Sequence, residues 1–230
     1  MLFYRWHPQL YLRYTPIVNY IKKLKLDNPS ILEVGSGPLG IGPYLNQSFM
    51  GIDVDFSGPQ WPAMKRIIAS AKKLPFADHS FDIVICVDTL EHITPRLRQR
   101  VIAELLQVTK SHLILAFPSG GPASQQDKNM HELYFRRFFG QQFPFLQEHI
   151  KYGLPDAGQV YRWLKPFGHV ETTTGHNLKL RAWLMNGWIT KNLLVDIFFR
   201  KVLLLFLPIL KIIDQKPPHY RTYFFAKINS

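Results

Sequence analysis

The chain has 230 residues, a net charge of +12 at pH 7 and 47% hydrophobic residues. That is enough apolar material for one domain with a substantial core, and too much for wholesale disorder. Its single cysteine excludes an internal disulfide framework and any multi-thiolate zinc site.

The charge excess lies at the two ends. Arg5, Arg13, Lys22, Lys23 and Lys25 precede residue 27, a second basic group follows residue 175, and residues 27–175 are balanced. Residues 1–14 carry Phe3, Tyr4, Trp6, Tyr11 and Tyr14 without the pattern of a secretory leader, and read as an apolar lid or arm. Thr15-Pro16 predicts a helix start, and Asp27-Asn28-Pro29 its end. Ser30–Val34 reads as a strand, Gly35–Gly42 as a glycine-rich turn, Phe49–Asp53 as a second strand and Trp61–Ala71 as a helix. The unbroken apolar run Phe81–Val87 predicts a parallel strand covered on both faces. A helix over Arg96–Thr109 and a strand over His112–Phe117 follow. Ser119–Asn129, rich in Gly, Ser and Gln, reads as a mobile loop over the pocket, and Asp156–Lys165 as a helix. Val170–Thr174 and Thr222–Ile228 read as two strands that pair, separated by a helical insertion.

This alternation predicts an α/β fold with a doubly wound, mostly parallel sheet in a single domain. Its parts are an arm and helix (1–29), a core (30–175), the insertion (176–221) and a last strand (222–230). The most apolar stretch, Leu193–Ile213, is interrupted by Asp196, Arg200, Lys201 and Pro208, which suits an interfacial helix better than a spanning one.

The chemistry-bearing signal is Glu33-Val34-Gly35-Ser36-Gly37-Pro38-Leu39-Gly40, with an acid at the end of the next strand, Asp53. Glycines there allow a sharp turn and a close backbone approach to a ligand, and the acid can accept both hydroxyls of a ribose. A nicotinamide dinucleotide fits the Gly-x-Gly-x-x-Gly spacing. Tyr161-x-x-x-Lys165 matches a dehydrogenase pair but is equally an ordinary helix. Glu33 argues against a pyrophosphate, which it repels, and for a cationic ligand.

Ser70-Ala71-Lys72-Lys73-Leu74-Pro75-Phe76-Ala77-Asp78-His79-Ser80-Phe81-Asp82-Ile83-Val84, followed by Leu90-Glu91-His92, closely resembles the class I S-adenosylmethionine-dependent methyltransferases. The likeness is to the small-molecule branch that includes quinone-ring enzymes, and spans about Ile31–Pro118. Gln147–Pro155 resembles a segment of cell-envelope glycan methyltransferases. The resemblance implies a Rossmann-like, seven-stranded sheet whose last strand is antiparallel, and S-adenosylmethionine as cofactor. Gly35, Ser36 and Gly37 are then expected to face the cofactor and Glu33 to hold its methionine end. Asp53 is expected at the ribose (Asp55 being the alternative), Ser70 and Ala71 at the adenine edge, and Val87 and Asp88 near the methyl group.

The sulfonium is already activated, so the protein must align a nucleophile and exclude water; a base helps only if that nucleophile carries a proton. Asp88, His92 and His131 are the candidate bases, with Glu91 and Tyr134 beside them. Cys86 reads as buried core. Asp88-x-x-Glu91-His92 offers competent metal ligands, but a further ligand is not evident, so the stretch reads as a solvated loop start and no metal is expected. The acceptor is expected to be a small or lipid-linked molecule, with the basic, apolar ends meeting a membrane surface from the cytoplasmic side. A second copy of the chain is the alternative occupant of that apolar face. An RNA substrate held by the basic ends, and a binding module without catalysis, are the other readings; the motifs of nucleobase methyltransferases are missing, which argues against nucleic acid.

Overall fold

The computed structural model describes residues 8–45 and 47–229. The lid aromatics Phe3, Tyr4 and Trp6 lie outside the described residues. Helix α1 (Pro8–Leu24) begins a full two turns before the Thr15-Pro16 start expected, and carries Pro16 inside it. Proline removes one ladder hydrogen bond, yet Leu12, Ile17, Val18 and Ile21 are buried along one face. Burial of that face outweighs the local defect.

The strands are β1 (Ile31–Val34), β2 (Phe49–Asp53), β3 (Met64–Ile68), β4 (Phe81–Val87), β5 (Thr109–Pro118), β6 (Gly168–Asn177) and β7 (His219–Ile228). They form one sheet in the order β3-β2-β1-β4-β5-β7-β6. The first five strands pair in parallel, and β7 is antiparallel to both β5 and β6. The seven-stranded expectation holds. The helix expected over Trp61–Ala71 does not form: its centre is β3, paired with β2 from Phe49↔Met64 to Asp53↔Ile68. As an edge strand β3 tolerates Lys65, Arg66 and an exposed Ile68, which hid its strand character.

The helices after α1 are α2 (Pro95–Val108), α3 (Gly121–Arg137), α4 (Pro144–Tyr152), α5 (Ala157–Leu164), α6 (Leu178–Trp188), α7 (Leu193–Arg200) and α8 (Leu207–Asp214). Side chains alternate across the sheet as the period of two requires. Leu32, Val84, Leu113 and Leu115 pack with Val101 and Leu105 of α2 on one face. Ile31, Ile83, Ile85 and Ile114 pack with Ile17, Val18 and Ile21 of α1 on the other. The segment expected to be a mobile loop, Ser119–Asn129, is instead the start of α3, which buries Ala123, Asp127 and Met130.

The insertion divides into a packed and an exposed part. Leu180 and Leu184 of α6 join Leu12, Leu203 and Leu210 in a small core. By contrast α7, the 3₁₀ turn Val202–Phe206 and α8 leave Leu193, Leu194, Ile197, Phe198, Leu205, Ile209, Ile212 and Ile213 exposed. Among the described residues no helix is long and apolar enough to cross a membrane.

Candidate functional site

Strand order reverses between β1 and β4, so their carboxyl ends frame a crevice. The glycine turn closes one side of it. Gly35 (φ +75°) hydrogen-bonds Ile52 O at 2.8 Å, and a Cβ there would sit 2.0 Å from Thr89 Oγ1. Among the described residues Gly37 (φ +57°) has nothing within 4 Å of the Cβ position, so its backbone faces open space there. Its N–H donates to Asp53 Oδ2 at 2.7 Å, and Asp53 Oδ1 accepts from Val54 N at 2.7 Å. Asp53 thus couples the first two strand ends. Ser36 donates to Gly37 O, and Ser70 Oγ accepts from Lys72 N. Ala71 and Val87 are buried. Asp55 holds Ser57 through its backbone N–H and its hydroxyl, which draws its pKa down and turns it into its own loop. These residues fit a nucleoside cofactor: an open backbone position without a side chain, Gly37, beside a carboxylate fixed at the end of β2.

Glu33 departs from expectation. It is 0% exposed, accepts from Tyr14 Oη at 2.9 Å and from Ile41 N at 2.7 Å, and does not line the large cavity beside the crevice. It holds the glycine loop to α1 and lies behind that loop rather than on the cavity wall. Burial pushes its pKa up to about 7, against the hydrogen bonds from Ile41 and Tyr14. A carboxyl with a raised folded pKa keeps its proton longer than the unfolded chain does. Its contribution to stability is therefore complete below pH ~4.5 and is lost as the pH rises to about 7. Glu33→Gln should accordingly be more stable, relative to wild type, at pH 7.5 than at pH 4.5. Denaturant titrations at the two values check this, and a constant difference between the two proteins would refute it.

The carboxyl end of β4 carries Asp88, in the left-handed region at φ +49°. Arg221 of β7 binds it in a fork, Nε to Oδ1 at 2.8 Å and Nη2 to Oδ2 at 2.6 Å, and Arg13 Nε of α1 lies 3.0 Å from Oδ2. Burial alone raises its pKa, but the two guanidiniums outweigh it and hold the carboxyl well below the usual range. Asp88 is therefore an anchored anion, not the proton acceptor expected. His176 completes the group: its Nδ1 accepts from Arg221 Nη1 at 2.8 Å, and burial and the surrounding arginines keep it neutral.

Beside Asp88 opens a cavity of about 440 Å³. Phe143, Phe145, Leu146, Met185 and Trp188 form an apolar wall, facing Arg13, Asp88, Glu91, His92, His149 and Arg221. Glu91 and His92 lie on a 3₁₀ turn after β4, and His149 comes from α4. His92 Nδ1 donates to Glu148 at 2.7 Å, and His149 Nδ1 donates to Asp127 at 2.7 Å. Asp127 also takes Arg181 Nη2 at 3.1 Å and the Tyr220 hydroxyl at 2.8 Å. The expectation of a solvated loop start at residues 88–92 is overturned, since Glu91 is fully buried.

Of the expected bases, Asp88 and His92 line the cavity and His131 does not. His131 sits on α3, with Nε2 buried, and Tyr134 stacks on Phe138 and Phe143. Cys86 is buried as expected, and burial pushes its thiol up to about 12. His149, Asp127 and Arg221 escaped the sequence reading. Arg221 lies 133 residues from its partner and has no local signature. His149 stood inside the resembling segment Gln147–Pro155 and could have been found there.

Two residues of the basic group after residue 175, Arg181 and Arg200, are committed to internal partners. Arg181 is buried in the Asp127 network. Arg200 is paired with Asp196 at 2.6 Å and lies over the Trp188 ring.

Residues 32–117 match the family model described as a methyltransferase domain. No curated protein sequence matches the chain. Solved structures share the fold at low identity. The YcgJ protein of Bacillus subtilis is 15% identical with a TM-score of 0.53, the match covering 94% of this chain and 100% of that one. Haemonchus contortus phosphoethanolamine N-methyltransferase 2, bound to S-adenosyl-L-methionine, is 13% identical with a TM-score of 0.55, covering 94% and 52%. A protein of Anabaena variabilis, described as a methyltransferase from an antibiotic biosynthesis pathway, is 13% identical with a TM-score of 0.54, covering 92% and 97%.

Proposed function

We propose, from the premise that the chain is a class I S-adenosylmethionine-dependent methyltransferase, that its acceptor is an amphiphilic, lipid-linked molecule met at a membrane surface. S-adenosylmethionine supplies an activated methyl group, so the chain's own task is placement and exclusion of water. The Gly35–Gly37 backbone and the Asp53 carboxylate position the nucleoside end. The acceptor enters the cavity beside Asp88. Its apolar portion lies on Phe143, Phe145, Met185 and Trp188, and its polar head faces Arg13, Arg221 and the histidines. Tyr14 and Arg13 of α1 tie the N-terminal helix over the loop and over Asp88, which keeps water from the reacting centre.

One observation carries this reading. The insertion that walls the cavity with Met185, Trp188 and Arg200 also bears the exposed apolar face of α7 and α8. Leu194 is 77% and Leu205 79% exposed, and apolar surface of this extent marks a binding face. Lys211, on α8 itself, adds attraction to an anionic leaflet, about 1 kcal/mol; Lys23, in the same groove, is offset by Glu171 and Asp214. Liposome flotation tests the proposal. The wild type should float with anionic vesicles, and Leu194→Glu with Leu205→Glu should remain in the soluble fraction. Both side chains are exposed, so the pair of changes leaves the core intact. A wild type that ignores vesicles and instead sediments as a dimer through this face would refute the proposal.

A further inference from the structure

We propose that Glu91, His92 and His149 form a binding site for one divalent first-row transition-metal ion at the floor of the acceptor cavity. Four observations converge on it. First, one donor atom from each residue lies within 4.8 Å of the others. Tetrahedral metal–nitrogen and metal–oxygen bonds of about 2.0–2.2 Å set donors roughly 3–3.5 Å apart, so small rotations of the three side chains close the site. Second, Glu91 is 0% exposed and, its own backbone N–H aside, neither of its carboxylate oxygens has a hydrogen-bond partner among the described residues. A buried carboxylate without partners is costly. His149 Nε2 stands 4.0 Å from Oε1, too far for a hydrogen bond.

Third, both histidines are oriented from behind by carboxylates. Nδ1 of His92 is fixed by Glu148 and Nδ1 of His149 by Asp127, each at 2.7 Å. Since each Nδ1 donates its proton, the neutral ring keeps an Nε2 lone pair free for a ligand. That is the arrangement by which proteins set the tautomer and aim of metal-binding imidazoles. Fourth, the rings lie 4.9 Å apart and all three residues open on the same cavity, so a bound ion keeps a coordination position for an acceptor. Two imidazoles and one carboxylate favour zinc and its first-row neighbours over magnesium or calcium, which take oxygen ligands. Asp88, the acid three residues earlier, is excluded from the set because Arg13 and Arg221 occupy it. The role of the ion rests on the methyl-transfer reading: bound to an acceptor hydroxyl, it lowers that group's pKa. The existence of the site does not rest on it.

The test uses the full chain without a histidine tag, stripped with EDTA, and titrated with Co²⁺ for its visible absorption and with Zn²⁺ by calorimetry. One equivalent should bind. His149→Ala should abolish the Co²⁺ spectrum. Glu148→Ala, a change at a half-exposed residue that leaves the core untouched, should weaken binding 10–100-fold, the usual cost of losing an orienting carboxylate. S-adenosylhomocysteine binding, measured on the same samples, should be unchanged in Glu148→Ala. Absence of a stoichiometric site in the wild type, or wild-type Zn²⁺ affinity in both variants, would overturn the metal proposal. Failure of the wild type to bind S-adenosylhomocysteine while still taking up one Zn²⁺ would overturn the methyl-transfer reading and leave the metal site standing.

Discussion

Arg221→Met is expected to cost about 3–5 kcal/mol of stability, the penalty for stripping a buried charge of its partner. For a chain of this size that corresponds to a fall in Tm on the order of 10 °C. The residue is 2% exposed and makes both fork bonds to Asp88 as well as the bond to His176. Arg13 remains after the change, but it is a single, partly exposed partner at 3.0 Å. Asp88 would then be held on one side only, in the strained left-handed conformation that β4 imposes. Adding Asp88→Asn should return much of the loss, because it removes the orphaned charge. Thermal melts of the wild type, the two single variants and the double variant close the cycle. If the two changes were simply additive, the account based on an uncompensated anion would fail.

Asp53→Ala is the second large effect. Under the proposed ribose contact it should weaken S-adenosylhomocysteine binding by about 1.5–3 kcal/mol, the scale of hydrogen bonds to a charged group, or roughly 10–150-fold. The carboxylate also receives Gly37 N and Val54 N, so the substitution loosens both turns that shape the crevice. Asp55→Ala should leave affinity unchanged, since that side chain is engaged with Ser57. Calorimetry on both variants decides between them. A larger loss in Asp55→Ala would move the ribose contact two residues along the chain.

What the sequence disclosed follows from where each element buries its side chains. β4 was legible because Phe81–Val87 is covered on both faces, and the glycine turn because Gly35 and Gly37 need left-handed backbone. β3 was not, because an edge strand has one exposed side and here Lys65 and Arg66 break its alternation. Helix α3 was hidden by an inward face that includes Asp127 as well as Ala123 and Met130. A stripe of that kind shows no apolar period, although the charge is fully compensated once folded. The same limit applies to the site. Glu91 and His92 lie in a local motif, whereas His149 and its orienting Asp127 come from separate helices, brought there by packing that no local pattern encodes. Of the bases expected from position alone, Asp88 was withdrawn for an electrostatic reason, its two arginines.

The place of β7 in the sheet has a consequence for the order of assembly. Among the described residues β6 pairs only with β7, and β5 meets β6 only through it. During synthesis β6 therefore leaves the ribosome with no neighbour to bind, and it stays unpaired while the greasy segment from Leu193 to Ile213 is made. Both the open edge of β5 and that segment are then exposed together, the conditions under which nascent chains stick to one another. Residues 219–228 end this interval: one strand closes both halves of the sheet and at the same moment brings Arg221 to Asp88, so completion of the sheet and completion of the cavity floor are a single event.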